Sequence, residues 1–102
     1  TDWAEAHRAF HESIIAGCNS AWLMRLCGLL YEKSERYRNL SHQHTKPTER
    51  NTSFEHKQLL DAAIARDSDK LCYLLTEHFN KTTDIIKNFD FSNLPNLIEV
   101  TK

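Results

Sequence analysis

The sequence predicts an all-α fold, arranged as an antiparallel bundle of helices. Only two glycines and two prolines occur among its 102 residues, and no alternation of apolar and polar residues typical of a strand is sustained. Good helix formers such as Leu, Ala, Glu, Lys and Arg are plentiful. We expect one small domain over residues 1–88, followed by a C-terminal tail over residues 89–102.

Four helices are predicted from apolar residues that recur at helical spacing. Gly17 is placed to end the first helix, and Ser20 is a suitable N-cap for the second. Either Asp67 or Ser68 can cap the fourth helix, which we expect to end near Asn88. The predicted helices cover about residues 3–16, 21–40, 52–65 and 68–88.

A polar loop is predicted between the second and third helices, over residues 41–52. Pro47 lies in this stretch and is incompatible with the interior of a continuous helix. Thr52 is followed three residues later by Glu55, which is the spacing of a capping box. We therefore expect Thr52 to cap the third helix.

Charge and cysteine content narrow the class of protein. The formal net charge is −1, so the basic surface that binds phosphate backbones is not expected and this chain itself should not bind DNA. The odd number and wide spacing of Cys18, Cys27 and Cys72 favour buried, reduced thiols over disulfides. No apolar run approaches the ~18 residues of a membrane span, so we expect a soluble, cytoplasmic protein.

Four histidines are predicted to face the interior of the bundle. His7 and His11 stand four residues apart on the apolar side of the first helix. His56 begins a stripe that continues with Leu59, Leu60 and Ala63. His78 lies on the apolar stripe of the fourth helix. All four imidazoles are therefore expected in one small core.

A shared divalent metal ion is the interpretation that satisfies all four imidazoles at once. A lone inward histidine more often bonds a backbone carbonyl or a hydroxyl, but helices leave few free carbonyls for four buried rings. Histidine nitrogen is a preferred ligand of Zn, Ni, Cu and Fe. His42 and His44 form a similar pair in sequence but lie in the polar loop, where we expect them to be solvated.

Acidic neighbours of the histidines are not expected to be ligands. Glu12, Glu55 and Glu77 each adjoin a histidine in sequence, and a helical neighbour is rotated by ~100° away. A general base for hydrolysis and bridging carboxylates for a di-iron centre are therefore both missing from the predicted core. A histidine-rich metalloprotein with redox, oxygen-binding or hydrolytic function remains the alternative to a sensing domain.

Several segments resemble a known family in order and spacing. They are the run WAEAHRAFHESIIAGCN at residues 3–19, Glu-His at 55–56, AIARD at 63–67 and Glu-His at 77–78. The chain from about residue 3 to 82 resembles the metal-binding half of the FCD domain. That domain is the effector domain of the FadR subfamily of GntR-type transcriptional regulators.

The resemblance implies a ligand set. His11, His56 and His78 match the three histidine ligands of the family's metal site, whereas His7 occupies the position of the family's aspartate. Replacing a carboxylate by a neutral imidazole leaves more of the ion's charge uncompensated. It also favours zinc or nickel over the harder manganese.

The resemblance also implies a function, which is sensing and not catalysis. In the family, the metal anchors the carboxylate of a small organic acid, and this effector changes how a separate winged helix-turn-helix domain, absent here, holds DNA. Homodimers are expected. Arg38 is a candidate to pair with the effector, although a solvated helix-end cation is an equally open interpretation. Weaker candidates for the effector pocket are Arg36, Tyr37, Asn80 and Thr82.

Overall fold

A computed structural model of the protein describes residues 2–43 and 49–88. These ranges contain five α-helices and no strand, which confirms the predicted all-α class. The described residues do not include His44, Pro47 or the predicted tail. Within the described ranges, no helix is long and apolar enough to cross a membrane. The helices are α1 (Asp2–Ile15), α2 (Ala21–Lys33), α3 (Glu35–Gln43), α4 (Thr52–Ile64) and α5 (Ser68–Lys87).

The chain divides into two compact units, Thr1–Asn39 and Leu40–Lys102. In the first unit, α1 passes into a short 3-10 helix, Ala16–Cys18, and the turn is completed by Asn19 with a φ of 57°. Gly17, which was expected to end the helix, lies within the 3-10 helix, and the left-handed position is taken by Asn19, a residue that tolerates it. Ser20 caps α2 as predicted, because its hydroxyl accepts from the Leu23 N–H at 3.1 Å.

The second predicted helix is interrupted, and its continuation is longer than expected. α2 ends at Lys33, Ser34 forms the C-cap, and α3 reaches Gln43 in the segment predicted to be a loop. The Ser34 hydroxyl donates to the carbonyl of Tyr31, and the Arg38 guanidinium donates to the same carbonyl at 2.7 Å. These side-chain bonds satisfy a helix-terminal carbonyl and stabilise a break that hydrophobic spacing does not reveal.

In the second unit, α4 and α5 form an antiparallel helical hairpin. Asn51, not Thr52, caps α4, since its side-chain oxygen accepts from the Phe54 N–H at 3.0 Å. The predicted capping box is therefore wrong, and the Glu55 side chain is directed elsewhere. Asp67 caps α5 by accepting from the Lys70 N–H at 3.1 Å.

The buried side of α4 is displaced by one residue from the predicted stripe. Leu59 is 0% exposed and Ala62 is 3% exposed, and these are the buried apolar residues of the described ranges. Glu55 precedes them on the same stripe, whereas Leu60 is 43% exposed. The buried stripe of α4 consists of Glu55, Leu59 and Ala62. Glu55 therefore begins the buried stripe, where His56 was predicted to begin it.

The three cysteines are free, but the prediction that they are buried is wrong. Cys18 and Cys72 are exposed, and Cys27 is half-buried. Cys18 lies in the exposed 3-10 turn, and Cys72 lies between residues of the apolar stripe on α5, directed to the opposite side. The cysteine side chains therefore contribute little to the apolar core.

Truncating Leu59 should cost more stability than truncating its neighbour. Leu59→Ala removes a fully buried side chain and should lower the free energy of unfolding by about 2–5 kcal/mol. Leu60→Ala is the matched control, because Leu60 is 43% exposed, and should cost less than about 1 kcal/mol. Urea unfolding of both variants measures the difference, and equal losses would contradict the observed orientation of α4.

Candidate metal centre

His7 and His11 form a close pair on α1. Their Nε2 atoms lie 3.2 Å apart, as the i, i+4 spacing predicts. The rings are half-buried and nearly perpendicular, with centroids 4.7 Å apart. Trp3 stacks on the His7 ring, with 4.7 Å between the ring centroids. Each ring thus presents the same nitrogen to the space between them.

Tyr31 on α2 sets the orientation of His7. Its hydroxyl lies 3.0 Å from His7 Nδ1, which leaves Nε2 directed at His11. Burial raises the pKa of the Tyr31 hydroxyl, against the opposing effect of Arg38 and Arg8, so the hydroxyl keeps its proton. A hydroxyl can accept a hydrogen bond from Nδ1–H and thereby leave a lone pair on Nε2. In that tautomer, His7 and His11 can share a cation.

Arg38 is engaged by the same tyrosine. Its guanidinium carbon lies 3.6 Å from the centroid of the Tyr31 ring, and Nη1 donates to the Tyr31 carbonyl and to the Ser34 hydroxyl. Arg38 is therefore a half-buried structural cation and not a freely solvated one. Of the other predicted effector contacts, Arg36 is half-buried and lies over the Tyr37 ring, whereas Tyr37 and Asn80 are exposed. Thr82 is half-buried, and its hydroxyl accepts from Arg50 Nη1 at 2.8 Å.

His56 and His78 form the second pair, across the α4–α5 hairpin. Their ring centroids lie 4.8 Å apart at an interplanar angle of 62°. His78 is 7% exposed, which confirms its predicted inward orientation, and His56 is half-buried. The pair arises because two antiparallel helices bring residues 22 positions apart in sequence to one level of the hairpin.

Glu55 is buried and directly contacts His78, so the prediction that it points away is wrong. Its Oε1 lies 2.8 Å from His78 Nδ1. Arg50, immediately before α4, donates from Nε to Glu55 Oε2 at 3.0 Å and from Nη2 to Oε1 at 2.9 Å. The side chains of Arg50, Glu55 and His78 are each less than 10% exposed. One member of the second histidine pair, His78, is thus bonded to a buried carboxylate.

Helical periodicity does not reveal the buried contacts of Arg50 and Glu55 with His78. Glu55 has the spacing of a capping box in the sequence, and Arg50 precedes the helix, where periodicity gives no signal. The Glu-His pairing at residues 55–56 was a usable signal, since it belongs to the segments that carry the family resemblance. Glu12, Glu77 and His42 are exposed, as predicted, although His42 lies on α3 and not in a loop.

Burial controls the protonation of the second pair. It lowers the pKa of His56 and of His78, for His78 against the opposing hydrogen bond to Glu55. Burial alone would raise the pKa of Glu55, but the hydrogen bonds from Arg50 and His78 outweigh it and hold that pKa at about 2. At neutral pH the carboxylate is therefore ionised and both imidazoles are neutral, which is the form that binds metal.

The described residues are thus helical and include two pairs of histidines, a side chain that can bind metal ions. A family model described as the FCD domain matches residues 1–81. The chain therefore belongs to the FCD domain family. No solved structure matches it.

Two curated relatives are transcriptional regulators. The uncharacterised HTH-type transcriptional regulator BphR of Paraburkholderia xenovorans (strain LB400) is 40% identical over 87 residues, which cover 85% of this chain and 35% of BphR. The HTH-type transcriptional repressor GlaR of Escherichia coli (strain K12) is 30% identical over 89 residues, covering 84% of this chain and 40% of GlaR. The chain thus spans two-fifths or less of the length of these relatives.

The Glu55 carboxylate should make stability depend on acid pH. Its pKa falls from 4.5 to about 2 on folding, so its contribution is complete above pH 4.5 and is lost as the pH falls from 4.5 towards 2. The groups that face it are Arg50, His78 and Lys81. Thermal unfolding of the metal-free protein should show this loss in the wild type and a smaller one in Glu55→Gln. Glu77→Gln is the control for an exposed carboxylate, and an identical pH profile for Glu55→Gln and wild type would contradict the assignment.

Proposed function

We propose that the chain is the ligand-sensing domain of a bacterial transcriptional regulator and that His7, His11, His56 and His78 bind one divalent metal ion. The observation that carries the proposal is the pairing of the histidines in a chain of the FCD family. Each pair brings two imidazoles close together, at 3.2 Å between nitrogens on α1 and 4.8 Å between ring centroids across the hairpin. Histidines paired in this way are suited to hold a metal ion.

Zinc or nickel is the proposed ion. The donor set consists of neutral nitrogen ligands, which suit these ions better than manganese. Histidine at position 7 in place of the family's aspartate leaves the charge of a divalent ion without a direct carboxylate ligand. An anionic effector would supply the missing negative charge. A bound ion would act as a Lewis acid that holds such an anion.

The proposed effector is a small organic acid. Its carboxylate would bind the metal, and Arg38, Arg36, Tyr37 and Asn80 are the proposed contacts for the rest of the molecule. Arg38 is held against Tyr31, which also contacts His7, so this guanidinium is linked to the α1 histidine pair through one aromatic side chain. A planar guanidinium fixed in this way is suited to pair with a carboxylate.

The proposed output is a shift between conformations of a longer, homodimeric regulator that acts on DNA in the cytoplasm. GlaR is described as a repressor and BphR as a regulator, both of the HTH type. By analogy, a separate helix-turn-helix domain would contact DNA. An effector that binds one conformation more tightly would shift the population towards it. Catalysis is not part of this function.

Hydrolysis is disfavoured by the environment of Glu55. This buried carboxylate accepts hydrogen bonds from Arg50 and His78, and its pKa of about 2 makes it a poor general base at neutral pH. Among the residues that the structure describes, Glu55 is the buried acidic side chain. A positioning role fits its contacts better than proton transfer.

Removing a ligand histidine should abolish metal binding. His11→Ala, His56→Ala and His78→Ala should each lose most bound metal in elemental analysis, and zinc should no longer raise their melting temperature, because a ligand that binds the folded state stabilises it. His7→Asp should retain metal, since it restores the family's ligand. Small carboxylic acids should raise the melting temperature of wild type further, and a chelator should remove that effect.

His42→Ala is the matched control, because His42 is exposed on α3, and it should keep the metal content of wild type. Wild-type metal content in the three ligand variants would contradict the proposed site. Stabilisation by carboxylic acids that persists in chelator would contradict the proposed role of the metal as their anchor.

A further inference from the structure

The contacts of the Arg50 guanidinium are unusually complete for a side chain next to a helix start. Besides both oxygens of Glu55, it bonds the Thr82 hydroxyl from Nη1 at 2.8 Å and the His78 carbonyl from Nη2 at 2.9 Å. It thus joins the start of α4 to two successive turns of α5. Glu55 in turn bonds the His78 ring. Arg50, Glu55 and His78 therefore form one closed network, and Thr82 extends it along α5.

The distances within this network determine which nitrogen of His78 carries a proton. An ionised carboxylate can only accept hydrogen bonds, and a guanidinium can only donate them. Glu55 Oε1 lies 2.8 Å from Nδ1, a distance that requires a proton on Nδ1. Arg50 Nη2 approaches the same nitrogen only to 3.4 Å. The shorter contact prevails, so Nδ1 is the donor and the lone pair of the neutral ring is on Nε2.

Stability alone does not explain why this ion pair is buried. Removing a guanidinium and a carboxylate from water is costly, and apolar residues of similar volume often replace such pairs without loss of stability. The network does, however, fix the rotation of an imidazole and its tautomer. Carboxylates that bond the remote nitrogen of a metal-ligating histidine have this role in metal sites generally.

We propose that Arg50 and Glu55 are positioning residues that hold His78 in the Nδ1–H tautomer, so that Nε2 is the atom offered to a metal ion. Glu55 acts directly on the ring, and Arg50 acts through Glu55 and through the His78 carbonyl. The metal-binding part of this inference rests on the proposed function. The tautomer part does not, because it depends only on the contacts of His78 with Glu55 and Arg50.

The tautomer can be measured by nitrogen-15 NMR of His78 in the metal-free protein at pH 7.5, with zinc affinity measured separately. Wild type should show Nδ1–H. Glu55→Gln keeps an acceptor and should keep this tautomer, whereas Glu55→Met should lose it and weaken zinc binding about 10–100-fold. Glu77→Met removes the exposed carboxylate beside His78 and should change neither quantity.

A second variant separates positioning from folding. Glu55→Met leaves the Arg50 guanidinium buried without its carboxylate, which is destabilising. Arg50→Met/Glu55→Met removes both charges, so circular dichroism should show a folded protein, still with the altered tautomer and the weakened zinc binding. A folded double variant with wild-type tautomer and zinc affinity would overturn the proposal.

The two parts of the inference fail in different ways. An Nε2–H tautomer in wild type would overturn the positioning role, whether or not zinc binds. Absence of zinc binding in wild type would instead refute the proposed metal function, and the tautomers of wild type and Glu55→Met would still decide the role of Arg50 and Glu55.

Discussion

Burying the guanidinium of Arg50 with the carboxylate of Glu55 is the constraint that organises the α4–α5 hairpin. An ion pair this deeply buried is tolerated only when nearly all of its donors and acceptors are bonded. Here the requirement is met by residues of α5, His78 and Thr82. The rotation of α4, the depth of His78 and the protonation of its ring follow from that requirement. Leu59 and Ala62 then form the apolar layer beside it.

The two histidine pairs differ in the group that contacts Nδ1 of one of their rings. A neutral hydroxyl, that of Tyr31, contacts Nδ1 of His7, whereas an anionic carboxylate contacts Nδ1 of His78. A carboxylate makes the opposite nitrogen a stronger donor to a metal. In the proposed metal site, the ring of His78 is therefore expected to be a stronger ligand than the ring of His7. In the proposed site, the carboxylate of an effector would compensate for the weaker ligand His7.

The sequence predicted the helices better than the side chains that face inward. Histidines at i, i+4 on α1 and the buried His78 follow directly from helical periodicity. The burial of Glu55 does not follow from periodicity, because an apolar pattern carries no information about hydrogen-bond partners. Arg50 and His78 are the partners that satisfy this buried carboxylate. The break at Ser34 was missed for a similar reason, since it is stabilised by the Arg38 side chain bonding a carbonyl. Local polar bonds, invisible to apolar patterns, account for both errors.

A crystal structure of the zinc-loaded protein, with diffraction measured on both sides of the zinc absorption edge, tests the central claim most directly. The account predicts one anomalous peak bound by His7, His11, His56 and His78, with Nε2 of His78 as a ligand and its Nδ1 still bonded to Glu55. An ion bound through Nδ1 of His78, or an ion away from these histidines, would contradict it.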